Sequence, residues 1–475
     1  MSTSKSPEPS SSSERGLKFR KRWEDNSYWE RAKKGPVSTA LYLSVVYPKV
    51  FFNHKIRKTP LNTGWTLYQE TVIRALKWSA DSPLGVSRRA ANFIESIGKA
   101  RCSEPLTTVT NVPGVQGHWI GPETWNGRKA EAILFYVHGG GYVTFSSLCS
   151  LRPLCYLLKT LRKKHNKHVR VLSIDYPLAP ENPYPQALNY AENAYRWLTT
   201  ASGLPGGDSA GGGLALSLLQ SLYKDSGSWQ NSIDAKNMPM PLGAILVSPW
   251  VELKCDAASY ITNAKYDTLP VHFCPFAAEY YIYGYKRSQL FQSKLKNKNN
   301  DKKSDVNKRE DSFRTSNSSA TGAEFRQRNI KNKYTDPYKN PMIAAKYAPL
   351  ELLAKFPPLL ISYGGKEIFR DDIEEFVQKC VEAKKLKQEK NSKRLLKSDE
   401  KYLHFEPPSS ETFHPEVQVE YNPEMVHIYP FLDFLGEHSR EALDRFAGFI
   451  TARLDYSKHK PLILLNSYNS QNYME

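Results

Sequence analysis

The chain has 475 residues, enough to bury a large core, with 40% apolar and 12% aromatic residues and a formal charge of +18. The positive excess gathers in runs around Lys18–Lys34, Lys294–Lys303 and Lys384–Arg394. None of these carries regularly spaced aromatics or a nucleic-acid module signature, so they read as solvated loops and tail, and no nucleic-acid partner is expected. Six cysteines without a Cys-x-x-Cys or paired-histidine spacing indicate no metal site.

Residues 1–36 form a basic tail whose first part, Met1–Glu14, is Ser-rich and expected to be disordered. An apolar run, Val37–Phe52, begins a membrane-proximal or cap segment over 37–64. A bilayer-spanning helix needs about 20 largely apolar residues. This run is shorter and is broken by Pro48 and Lys49, so it suits an amphipathic anchor at a membrane surface or a helix packed over a domain entrance. Trp65, Tyr68 and Trp78 follow and are expected to contribute to a lid over an apolar pocket.

Over 65–460, short apolar strands alternate with helix-like stretches, the pattern of a mostly parallel α/β sheet. Strands are expected at 132–137, 169–174, 244–247, 359–363 and 417–421, and helices at 187–198, 214–223 and 439–454. Two polar stretches, about 288–333 and 384–408, read as disordered insertions, the first holding a sequon at Asn317. Residues 461–475 read as a C-terminal tail. Cys149 and Cys155 are close in sequence, but both suit core thiols.

Gly207-Asp208-Ser209-Ala210-Gly211 fits a strand-to-helix turn that lifts a serine nucleophile toward substrate, with small residues two before and two after to make room. His138-Gly139-Gly140-Gly141 follows an apolar strand upstream of it, where an oxyanion loop is expected. The N–H groups of Gly139, Gly140 and Ala210 are the expected donors, with His138 and Gly141 shaping the loop. A serine needs a histidine base, and the base a carboxylate to fix its tautomer. His427, between the last strand and the last helix, is the base expected from position. His404 and His414 sit in or beside a polar insertion. Glu367, directly after a strand, is the expected acid, with Asp371 and Asp372 as fallbacks.

These motifs, with Asp175-Tyr-Pro-Leu-Ala-Pro-Glu181, Tyr184-Pro185, Ser248-Pro-Trp250 and Phe356-Pro-Pro358, resemble the hormone-sensitive-lipase group of esterases. Glu rather than Asp at 367 is similar to its fungal steryl acetyl hydrolase branch. The resemblance implies an α/β-hydrolase fold, a mostly parallel sheet flanked by helices with an N-terminal helical cap. It implies cofactor-free ester hydrolysis through an acyl-enzyme, with a lipid or steryl ester as partner. For the fungal branch it implies removal of acetyl groups from sterols at the endoplasmic reticulum membrane, a cytoplasmic location being the alternative. One departure stands out: Thr199–Gly206 is rich in Gly, Pro and Ser where a strand should feed Ser209, so that strand is expected to be absent or truncated. A catalytically impaired protein that binds a small apolar ligand is the alternative this departure raises.

Overall fold

The computed structural model describes residues 44, 47–58, 60–62, 64–82, 84–110, 114–198, 203–223, 240–285, 336–396 and 416–459. The Ser-rich tail, the expected insertion at 288–333 with its sequon, residues 397–408 of the second insertion and the tail at 461–475 lie outside them, as do His404 and His414.

Two helices, α1 (Leu67–Ala80) and α2 (Leu84–Ala100), precede the sheet. The start of α1 is set by a capping box: the Thr66 hydroxyl accepts from the Gln69 N–H and the Gln69 side chain accepts from the Thr66 N–H. The strands are β1 (Leu106–Thr108), β2 (Gly117–Ile120), β5 (Ala132–Val137), β6 (Val169–Ile174), β7 (Gly203–Asp208), β8 (Ala244–Val247), β9 (Leu359–Gly364) and β10 (Val417–Asn422), with β3 (Thr124–Trp125) and β4 (Arg128–Lys129) as a separate hairpin. They lie in the order β1-β2-β6-β5-β7-β8-β9-β10. Within this eight-stranded sheet, among the described residues, only the β1–β2 and β2–β6 pairs are antiparallel.

Helices α3 (Leu151–His165), α4 (Gln186–Leu198), α5 (Ser209–Tyr223), α6 (Arg370–Leu396) and α7 (Glu437–His459) cover the two faces. Alternation along β5 assigns the faces. Phe135 and Val137 pack with Ala191 of α4 and Leu214 of α5, whereas Leu134 and Tyr136 pack with Leu154 of α3 and Phe446 of α7. Each fully buried Leu or Phe contributes roughly 1.5–3 kcal/mol over exposure, which is how near-continuous apolar runs become central strands covered on both sides.

The elbow strand is a correction to the sequence reading. β7 is six residues long, as long as β5 and β6, and pairs in parallel with β5 from Gly203 to Gly207 and with β8 from Gly206 to Asp208. Its two neighbours supply the ladder that Gly and Pro could not propagate by propensity. Pro205 also sits where only β5 flanks the strand, because pairing to β8 begins at Gly206. A second correction concerns 384–408, because α6 continues to Leu396. Lys384, expected in a polar insertion, is buried, pairing with Glu416 at 2.7 Å and donating to the Phe356 carbonyl.

β5 has β6 on one side and β7 on the other, so successive connections from it run in opposite directions. The carboxyl ends of β5 and β7 therefore flank a switch in strand order, where open α/β sheets leave a crevice.

Candidate active site

Ser209 stands at that crevice, between the last residue of β7 and the first turn of α5. It is 6% exposed and has φ of +51°, a left-handed conformation that costs a non-glycine residue energy and marks a locally forced turn. The turn has room only for glycine at 211, where a Cβ would lie 2.1 Å from the Val137 carbonyl oxygen and 2.4 Å from that of His138. The Ser209 carbonyl is held by the Trp250 N–H at 2.8 Å. Ala210 lies in the first turn of α5, where helix N–H groups have no partner within the helix and carry the positive end of its dipole.

The glycine loop follows β5 directly. His138 is fully buried, stacks on Tyr176 at 4.2 Å, and its backbone carbonyl accepts from the Tyr176 hydroxyl at 2.9 Å. Burial depresses its imidazole to about 4, so it is a neutral structural anchor at neutral pH. Gly140 has φ of +108°, and a Cβ there would meet the Thr144 carbonyl oxygen at 2.2 Å. The expected donor set needs revising. Gly139 N–H donates to Asp208 Oδ1 at 3.1 Å, and the same buried carboxylate accepts from the Tyr136 hydroxyl. Among the described residues the N–H groups of Gly140 and Gly141 donate no backbone hydrogen bond. Gly140, Gly141 and Ala210 are thus the available donors, and Gly139 serves to fix the loop to the elbow.

His427 and Glu367 come together from separate loops. His427 Nδ1 lies 3.7 Å from Glu367 Oε2, both side chains are at most 2% exposed, and neither imidazole nitrogen has a hydrogen-bond partner. Glu367 Oε2 accepts from the Ser248 hydroxyl at 2.6 Å and from the Gly364 N–H at 3.4 Å. Burial pushes the Glu367 carboxyl up to about 8, and these two donors oppose the rise by favouring the carboxylate. Burial likewise takes the His427 imidazole down to about 4, opposed by the nearby charges of Asp267 and then Asp208. The fallback acids are engaged elsewhere: Asp371 accepts from the Ser259 N–H at 2.7 Å, and Asp372 pairs with Lys346 at 2.9 Å.

Two residues of this site were not assigned from sequence. Ser248 belongs to the quoted Ser-Pro-Trp motif, and its oxygen also accepts from the Ile428 N–H at 2.9 Å, so it joins the acid loop to the base loop. Asp267 is fully buried and accepts from the N–H groups of His427 at 3.0 Å, Ile368 at 2.7 Å and Thr268 at 2.7 Å. It lies 160 positions from His427 and 101 from Ile368, so no spacing rule could have found it.

Ser209, His427 and the three glycines open into one cavity of about 340 Å³. That is within the usual size of small-molecule sites. Its roof comes from α1 and α2, through Val72, Leu76, Ala91, Ile94 and Ile97, and its far wall includes Phe273 and Phe434. The expected N-terminal cap is therefore built of aliphatic side chains. None of the aromatics named for the lid lines the cavity: Trp65 is buried against Met425 and Tyr429, and Tyr68 is exposed with its ring edge-on to Phe434.

A family model described as the alpha/beta hydrolase fold matches residues 134–304. An esterase crystal structure from the bacterial hormone-sensitive lipase family superposes with a TM-score of 0.53 at 21% identity, covering 81% of this chain and 97% of its own. The chain has the α/β-hydrolase fold. This α/β hydrolase is also 34% identical over 170 residues to an acetyl-hydrolase of Streptomyces hygroscopicus, covering 35% of this chain and 50% of the relative. An esterase of Acinetobacter venetianus is 26% identical over 279 residues, covering 57% of this chain and 67% of its own. The chain thus spans about half the length of the first of these relatives and two thirds of the second.

Proposed function

We propose that this α/β hydrolase is a serine carboxylic-ester hydrolase of the hormone-sensitive-lipase type acting on lipid esters. The observation that carries the reading is the convergence of Ser209 on a forced turn, the buried His427–Glu367 pair and the unengaged Gly140 and Gly141 N–H groups on one apolar cavity. Ser209 Oγ attacks the ester carbonyl carbon while its proton passes to His427 Nε2, and Glu367 steadies the imidazolium that forms. The carbonyl electrons move onto oxygen, which accepts from Gly140, Gly141 and Ala210. Collapse expels the alcohol, which takes the His427 proton, and water then repeats the sequence on the acyl-enzyme to release the acid.

The name of one similar protein, an acetyl-hydrolase, supports a short acyl group, and that of another, an esterase, supports ester hydrolysis. An almost wholly apolar roof supports a bulky lipid alcohol, and we take an acetylated sterol as the substrate class. The ligand-binding alternative rested on a missing elbow strand, and β7 at full length removes that ground. Among the described residues no helix is long and apolar enough to cross a membrane. Exposed Phe51, Phe52 and Ile56 beside Lys49, Lys55, Arg57 and Lys58 support contact with a membrane surface, which we place at the endoplasmic reticulum.

Fluorophosphonate labelling and hydrolysis of p-nitrophenyl acetate and a steryl acetate test the reading together. Wild-type protein should be labelled at Ser209 and turn over both esters, and Ser209→Ala should lose label and turnover by about 10³-fold or more. Undiminished turnover in Ser209→Ala would overturn the assignment. Cleavage of the acetate with none of the steryl ester would overturn only the substrate class.

A further inference from the structure

Cys102 and Cys155 face each other with their sulfurs 3.0 Å apart, and both are free thiols. Cys102 lies two residues beyond α2, the helix that carries Ile94 and Ile97 over the cavity, whereas Cys155 is a core residue of α3. The chain around Cys102 is held in place on both sides. Glu104 pairs with Arg162 of α3 with both side chains largely buried, the Arg101 N–H bonds back to Ile97, and the Cys102 thiol donates to the Glu104 carbonyl at 3.4 Å.

From this juxtaposition we propose that Cys102 and Cys155 are a disulfide site, which in an oxidising compartment clamps the end of the cavity-roofing helix α2 to the core helix α3. The sulfurs need to close by about 1 Å to reach an S–S bond of ~2.05 Å. Of the two, only Cys102 reaches solvent; burial and then the neighbouring Cys102 push the Cys155 thiol up to about 12. Cys102 therefore opens the reaction.

The oxidant is a small-molecule disulfide such as glutathione disulfide. The Cys102 sulfur attacks one glutathione sulfur, forming a mixed disulfide and releasing one glutathione. The Cys155 sulfur then attacks Cys102 Sγ, forming the protein disulfide and releasing the second. The two thiol protons end on the two glutathiones, so two protein thiols are oxidised as one glutathione disulfide is reduced. The link joins residues 53 positions apart, and the chain between them contains β5 and the whole glycine loop, so it restrains both the roof and the oxyanion donors. Cys255 and Cys274, which also interact with each other, are at most 3% exposed and out of reach of such an oxidant.

The test is to equilibrate the full chain with glutathione disulfide and glutathione, quench with acid, alkylate, and map peptides without reduction. The expected result is a single 102–155 linked peptide, an intact mass lower by two hydrogens, and a thermal midpoint raised on the order of 5 °C. Cys102→Ser, at the partly exposed position, should abolish both the link and the rise. Persistent alkylation of both thiols, arrest at a glutathione adduct on Cys102, a link between other cysteines, or a link without a rise in midpoint would each overturn the proposal. None of these readouts depends on ester hydrolysis.

Discussion

Asp267 holds His427 by its backbone: one carboxylate oxygen accepts the His427 N–H at 3.0 Å, and the other accepts the N–H of Ile368, next to Glu367, at 2.7 Å. A single buried side chain thus sets the separation of the acid and base loops. It also sets charge, because its anion favours protonation of the His427 imidazole against the burial that opposes it. In Asp267→Asn an acceptor for His427 remains while the charge is removed. Turnover should fall about tenfold, and the acid limb of kcat/KM should move to lower pH, since a less favoured imidazolium means a base that stays neutral further into acid. Asp267→Ala strands three buried N–H groups at roughly 1–3 kcal/mol each and should unfold at markedly lower temperature. An Asp267→Asn profile superimposable on wild type would show that the Asp267 charge does not tune the His427 imidazole.

The buried Glu367 carboxyl makes stability depend on pH. Its folded value, about 8, lies above its ordinary 4.5. Below 4.5 the folded and unfolded chains both hold the proton, and the group contributes no difference. Between 4.5 and about 8 the unfolded chain gives the proton up more readily, so this group lowers stability progressively as pH rises. Glu367→Gln removes that slope. Thermal midpoints across this pH range should fall less steeply for Glu367→Gln than for wild type, while its esterase rate drops by about 10²–10⁴-fold. Parallel slopes for the two proteins would contradict the raised value.

Strands with near-continuous apolar runs were legible because a doubly covered sheet demands them: β5, β6 and β8 begin and end where the runs do, and β9 and β10 extend one residue further. That Ser209 and His427 would share one cavity, with Glu367 beside His427, was legible from motif and chain order. β7 was not, because its residues are poor strand formers and its pairing comes from β5 and β8, which local propensity does not see. The role of Asp267 was hidden for the same reason, its contacts being made at long range. The donor set was legible only as a motif. Which glycine N–H is engaged depends on where the Asp208 carboxylate turns, and that is a tertiary outcome.

That engagement separates the three glycines in solution. In protein with ¹⁵N-labelled glycine and alanine, a phosphonate bound to Ser209 should shift the amides of Gly140, Gly141 and Ala210 as they take up its oxygen. Gly139, already bonded to Asp208, should move least. In activity, Gly140→Ala should cost about 10²-fold or more in kcat with little change in KM, since a Cβ facing the Thr144 carbonyl displaces the donor rather than the cavity wall. A Gly139 shift as large as that of Gly141 would restore Gly139 to the donor set.

The short helical stretch before α1 tests the membrane reading. Phe51, Phe52 and Ile56 are 42%, 41% and 61% exposed, although Val50 beside them is 1% exposed. The stretch is tied to α1 through His54 and Glu70 at 2.7 Å, so these apolar groups project from a fixed base. Burying such side chains in the interface and placing four basic residues near anionic headgroups both favour adsorption. The triple change of Phe51, Phe52 and Ile56 to Ser should lower flotation with phosphatidylserine-containing vesicles by about tenfold or more. Hydrolysis of p-nitrophenyl acetate should be unchanged, because none of the three lines the cavity. High salt should weaken wild-type binding through its screened charges. Flotation of the triple variant equal to wild type would remove this face as the point of contact.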